Sequence, residues 1–175
     1  MEKRKVKIYI DGANMFYTQK RLGWSVDWKK VKEFLEQQKD VIEWRYYVGV
    51  KADDEKMLKY LKYLNSVGFN TITKPLKKIK IGEVEVSSQD SESKFIYKAN
   101  FDVEMTADIL LEKFKLDEII IFSGDSDFKY LVKKLRDSGL EVSIFSSRKT
   151  ISWELKLECS KVFYFESLKN EIKRE

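Results

Sequence analysis

The sequence has no histidine, one cysteine and one proline among 175 residues. Each scarcity removes a class of chemistry. Without histidine there is no Ser-His-Asp or Cys-His catalytic arrangement and no histidine-ligated zinc. Cys159 alone forms no internal disulfide and supports no cysteine-based zinc site, which fits a cytoplasmic protein. No apolar run approaches the roughly 20 residues of a membrane span, and the N-terminal stretch reads without an apolar signal segment. No membrane partner is expected. Any metal must be held by oxygen, which points to Mg²⁺ or Mn²⁺.

What remains is a charged but well-packed composition. Hydrophobic residues make up 43% and charged residues 36%, the balance of a globular chain. The length suits one core, and residues 1–175 read as a single domain without repeat or long linker. The net charge of +5 persists despite clustered acids, so the remaining surface is more basic than the total. That favours a polyanionic partner.

The organising stretch is Ser123-Gly124-Asp125-Ser126-Asp127-Phe128. It follows the apolar run Glu118–Phe122, read as a buried strand. It precedes Phe128–Leu135, which repeats at helical spacing. Two carboxylates thus stand on a strand-to-helix turn, at the end of a strand where open α/β sheets bind ligands. Gly124 is expected to relieve the turn, and Ser126 or Asp127 to cap the helix. Turn and capping duty alone would explain a lone Asp-x-Asp. A second strand, Val6–Ile10, also ends in an acid, Asp11, followed by Gly12-Ala13-Asn14. Two central strands ending in Asp bring like charges together, which is costly unless a cation lies between them.

The rest of the chain reads as alternating strands and helices. Asp27 caps a helix carrying Val31, Phe34 and Leu35, and Val41–Val50 forms the second strand. Its Trp44, Tyr46 and Tyr47 are read as sheet packing rather than a base-stacking platform. Asp53 or Asp54 opens a helix with Met57, Leu58, Leu61 and Leu64 that ends near Gly68. Phe69–Thr73 is the third strand, and the β-α-β-α-β order calls for a parallel sheet. Residues 76–98 read as a hairpin insertion, with Leu76–Ile81, Gly82 and Glu83–Val86 as alternating arms. Lys77, Lys78 and Lys80 make one arm basic. Asn100–Phe114 is a helix with a predicted apolar stripe of Val103, Ala107, Leu110, Leu111 and Phe114. Asp102 and Thr106 follow one flank of it, Glu104 and Asp108 the other. Further elements are expected at Leu140–Phe145, Ile151–Leu157 and Val162–Phe165, with a basic helical tail.

Three motifs together resemble the NYN domain, the LabA-like branch of the PIN-like nuclease superfamily. They are Ile10-Asp11-Gly12-Ala13-Asn14, Lys98-Ala99-Asn100-Phe101-Asp102-Val103 with Asp108, and Ser123-Gly124-Asp125-Ser126-Asp127-Phe128. The resemblance covers roughly residues 5–147. Ala99-Asn100 departs from the family, which often has Gly directly after the Lys. The resemblance implies a doubly wound α/β fold, a mostly parallel sheet of order 3-2-1-4-5 flanked by helices. It also implies a divalent-metal ribonuclease site. Asp11, Asp102, Asp125 and Asp127 would bind the metal, supported by Asn14, Ser123 and Lys98.

The expected activity is hydrolysis of RNA phosphodiesters with Mg²⁺ or Mn²⁺. Asn14 would orient water or a phosphate oxygen, and Lys98 and Ser123 would face the RNA. Lys77, Lys78 and Lys80 would add backbone contacts independent of sequence. Asp102, at the helix start beside Lys98, is assigned to the metal, and Asp108 and Thr106 to a supporting layer. A second copy of the chain is a further candidate partner. The alternatives are a non-catalytic RNA-binding or assembly module and another Mg-dependent phosphate-transfer enzyme. A haloacid-dehalogenase-type site is disfavoured by Ala13 where a second Asp is needed, and a Toprim-type site by Asp11 in place of Glu. The Asp11–Asn14 turn also lacks the glycine fingerprint of a dinucleotide fold.

Overall fold

The computed structural model describes residues 3–80, 95–113 and 115–175. Strand β1 (Lys5–Asp11) is central and pairs in parallel with β2 (Asp40–Val50) and β6 (Glu118–Phe122). β3 (Asn70–Pro75) extends the sheet beyond β2, while β7 (Glu141–Ser146) and β8 (Lys161–Tyr164) extend it beyond β6. The order is β3-β2-β1-β6-β7-β8 and each pairing is parallel. This is the expected 3-2-1-4-5 order with β8 added at one edge. The chain winds outward from β1 to β3, then returns to the other side of β1. That reversal leaves a crevice beyond the carboxyl ends of β1 and β6.

Alternation along β1 divides the interior into two cores. Ile8 and Ile10 face helices α1 (Gly12–Leu22), α2 (Trp28–Glu36) and α3 (Glu55–Val67), where Trp28, Val31, Leu35 and Leu64 are buried. Tyr9 faces the other way, with Met105, Ile109, Phe128 and Leu131 of α4 (Asp102–Glu112) and the α5 (Lys129–Asp137) region. β6 is buried along its whole length, which explains the unbroken apolar run Ile119–Phe122. Trp44, Tyr46 and Tyr47 are buried in these cores, as their reading as packing residues requires.

The helix termini follow local rules. Asp27 accepts from the N–H groups of Lys29 and Lys30, and Asp54 from Met57 N–H. Gly68 ends α3 at φ +97°, a conformation that disfavours side chains. Ser152 caps α6 (Trp153–Glu158), and the tail closes with α7 (Lys169–Ile172). At the organising turn the capping residue is Asp125, not Ser126 or Asp127. Asp125 Oδ1 accepts from Asp127 N–H at 3.1 Å and starts a single 3₁₀ turn, Ser126–Phe128, that leads into α5.

The hairpin is described in part, and the expected face of α4 is corrected. The hairpin's described arms are β4 (Lys77–Lys80) and β5 (Phe95–Lys98), antiparallel, with Lys77 opposite Lys98. The strand paired with the first arm is 95–98; Glu83–Val86 lies outside the described residues. The apolar face of α4 is different. Met105 and Ile109 point inward next to Phe101, whereas Val103 is 79% and Leu111 75% exposed; Phe114 lies outside the described residues. This helix carries apolar residues on two faces, and periodicity alone does not choose between them. Ionic partners do. Asp108 and Glu112 reach Arg45 of β2 at 3.1 and 2.7 Å, and Glu112 reaches Lys7 of β1 at 2.8 Å. Those ties turn Met105 and Ile109 toward the sheet.

Candidate metal centre

Asp11 ends β1 and caps α1, where its Oδ1 accepts from Asn14 N–H at 3.0 Å. Its Oδ2 accepts from Ser123 Oγ at 3.3 Å. The same Ser123 oxygen accepts from Asp125 N–H at 3.2 Å. Asn14 Oδ1 accepts from Gly124 N–H at 3.0 Å. These bonds lock the turn after β1 to the turn after β6. Ser123 is fully buried, so it braces Asp11 and Asp125 instead of facing RNA as expected. Gly124 is required by close approach rather than by an unusual backbone angle. A Cβ there would meet the Thr150 carbonyl oxygen, and would lie 2.8 Å from Ser146 Oγ.

Asp102 arrives from the start of α4. Asn100 grips it twice: Asn100 Nδ2 donates to Asp102 Oδ2 at 2.6 Å, and Asp102 N–H donates to Asn100 Oδ1 at 2.7 Å. One carboxylate oxygen from each of Asp102, Asp125 and Asp127 falls within 4.8 Å of the others. Asp11 shares a cleft with Asp102 and Asp125. Three converging carboxylates and no nitrogen or sulfur donor suit a hard divalent cation.

The electrostatics record the crowding. Burial, with repulsion from Asp102 and Asp125, pushes the Asp11 carboxyl up to about 6, against the hydrogen bonds from Asn14 and Ser123. Burial and the charges of Asp125 and Asp127 likewise raise Asp102, partly opposed by Asn100. Acids that resist ionisation when brought together are typical of functional sites.

Asp108 lies apart from this cluster. Its Oδ2 accepts from Tyr47 Oη at 2.7 Å and pairs with Arg45. Asp102 and Asp108 point about 120° apart around α4, and the buried Met105–Ile109 face runs between them. Thr106, half-buried one turn beyond Asp102, does not line the cleft. Lys98 is exposed and lines it. Lys77 and Lys78 are exposed on the adjoining arm β4, and Lys80 ends that arm.

The cleft has a volume of about 1020 Å³. Sequence reasoning missed several of its walls. Phe16, Trp24 and Tyr97 line it, as do Lys20 and Arg174. A signal for Phe16 was present: a large ring in a short helix of low mean hydropathy, immediately after the Asp11 turn. Asn100 was visible only as a departure from the family motif, not as the residue that holds Asp102.

A doubly wound parallel sheet, with aspartates from β1, α4 and the turn after β6 gathered at its switch point, defines a protein of the PIN-like class. The NYN domain model matches residues 5–168, and the chain belongs to that family. It is similar to the Low amplitude and bright protein LabA of Synechococcus elongatus, 27% identical over 154 residues. That match covers 87% of this chain and 78% of LabA. A crystal structure of a protein of unknown function from Vibrio parahaemolyticus superposes with a TM-score of 0.77 at 21% identity, covering 99% of this chain and 100% of that one. This likeness concerns the fold. Among the described residues no helix is long and apolar enough to cross a membrane.

Proposed function

We propose that this protein is a cytoplasmic ribonuclease that hydrolyses RNA phosphodiester bonds with Mg²⁺ or Mn²⁺. The observation that carries the reading is the convergence of Asp102, Asp125 and Asp127 within 4.8 Å, beside Asp11. These four acids would hold the cation, which when bound supplies neutralisation of phosphate charge and a more acidic water. The chain's own residues do the positioning. Ser123 spaces Asp11 from Asp125, Asn100 fixes Asp102, and Asn14 holds the Gly124 turn while its amide borders the cleft. Lys98 offers a point charge to a phosphate at the cleft wall, and Lys77, Lys78 and Lys80 extend that attraction along the arm.

The test is incubation of the pure protein with labelled RNA and DNA in Mn²⁺, Mg²⁺ or EDTA, beside Asp125→Asn. Asparagine keeps the Oδ1 that caps the 3₁₀ turn, so the fold should stand. Cleavage should fall by more than the roughly 10- to 100-fold seen for outer-shell partners of metal sites. Full activity in Asp125→Asn would remove this residue from the mechanism. RNA binding without cleavage in any metal would replace the enzyme reading with a binding module.

A further inference from the structure

The cleft is larger and more apolar than a phosphodiester requires. Ligand pockets commonly span roughly 300–1,000 Å³, and this one, at about 1020 Å³, is at the top of that range. Acids and a cation account for only part of its wall. Two aromatic rings remain unexplained by packing. Phe16 of α1 is 61% exposed and Tyr97 of β5 is 44% exposed, and both line the cleft. Each ring carries an ammonium: Lys20 Nζ is 4.6 Å from the Phe16 centroid, and Lys51 Nζ is 4.9 Å from that of Tyr97. An exposed ring beside a cation offers a π-face to a base and a charge to its phosphate.

Both rings border the same cleft as Asp11, Asp102 and Asp125. Phe16 lies five residues after Asp11, about 7.5 Å along the helix axis. Tyr97 stands three residues before Asn100, the residue that grips Asp102. A base in a duplex is already stacked on both sides, so it has no free face for such a ring. An unpaired base does.

We infer that Phe16 and Tyr97 form a stacking subsite for an unpaired nucleobase next to the scissile phosphate. This rests on the RNA reading above, and it makes single-stranded RNA the preferred substrate through ring faces rather than sequence-reading hydrogen bonds. Because stacking is tolerant of base identity, purines and pyrimidines both bind.

The experiment measures anisotropy of a fluorescent eight-nucleotide RNA in EDTA, so that binding is read without cleavage. Phe16→Ala and Tyr97→Ala should each weaken binding about 5- to 150-fold. Phe16→Leu, which keeps apolar volume without a ring, should lose as much, while Phe16→Trp and Tyr97→Phe should retain affinity. Tyr130→Ala should change nothing, because Tyr130 is 70% exposed but lies outside the cleft. On RNA carrying an abasic nucleotide at the most sensitive position, the alanine variants should bind like the wild type. Equal losses on intact, abasic and duplex RNA, or no loss at all, would overturn the subsite. Cleavage in Mn²⁺ is followed in parallel. Ring-dependent binding without cleavage would sink the nuclease and keep the subsite, and cleavage with ring-independent binding would do the reverse.

Discussion

Asp11→Asn gives the sharpest test of the acidic cluster as a physical object. The Asp11 carboxyl is pushed up to about 6 by burial and by Asp102 and Asp125, against about 3.9 in an unfolded chain. Between those values the folded protein keeps a proton that the unfolded chain has released. Stability therefore falls as pH rises through about 4 to 6, and the full penalty is present above that window. At about 1.36 kcal/mol per tenfold change in proton affinity, the penalty at pH 8 is about 3 kcal/mol. Asparagine removes the charge, and its Oδ1 can still cap α1 through Asn14 N–H. Its loss is the charged acceptor of Ser123 Oγ, worth about 1.5 kcal/mol at its long 3.3 Å separation. In EDTA at pH 8 the variant should thus be more stable by about 1–2 kcal/mol, and for a chain of this size melt about 2–8 °C higher. Near pH 4 the advantage should vanish. The assay is thermal unfolding by circular dichroism from pH 4 to 8, without metal and then with Mn²⁺. Mn²⁺ should raise the wild-type melting temperature more than the variant's. A variant that melts lower than wild type at pH 8 in EDTA, or a difference that ignores pH, would refute the reasoning and leave Asp11 as a helix cap.

Two further predictions concern the helix and the arm. Asp102→Asn should remove nearly all cleavage at any metal concentration. Asp108→Asn should keep measurable activity but lower stability by about 1–3 kcal/mol, because Tyr47 and Arg45 lose a charged partner; equal, total loss of activity in both variants with intact folds would contradict their separation around α4. Replacing Lys77, Lys78 and Lys80 by Gln should weaken RNA binding across sequences and flatten its salt slope by about 2–3. The melting temperature should barely move, and an unchanged salt slope would take the arm out of the binding surface.

Much of the architecture was legible because it is written in local signals. β-branched runs marked β1 and β6, Asp27 and the Asp53-Asp54 pair marked helix starts, and Gly68 marked an end. The acids after β1 and β6 were legible too, since each closes a strand of the expected sheet. What stayed hidden depends on contacts between distant segments. The orientation of α4 is one case: Val103, Ala107 and Leu111 repeat as cleanly as Phe101, Met105 and Ile109. The choice between them is made by Arg45 and Lys7, about 60 residues or more earlier in the chain. Another case is Ser123, whose buried hydroxyl could be placed between two acids only once both turns were in view. The pairing of Lys77–Lys80 with Phe95–Lys98 stayed hidden because Phe95-Ile96-Tyr97-Lys98 does not alternate and pairing register is not a local property.

The bonds that brace the site join residues 110 and 112 positions apart, Asn14 to Gly124 and Asp11 to Ser123. They lie across the seam where β1 and β6 meet, a contact that closes a loop of more than 100 residues. A fragment that stops before β6 carries Asp11 and Asp102 but lacks Asp125, Asp127 and the Ser123 hydroxyl that ties Asp11 to the turn after β6. Partial opening of that seam disperses Asp11 and Asp125 in one event. Assembly of the cluster therefore depends on the junction of the two sheet halves.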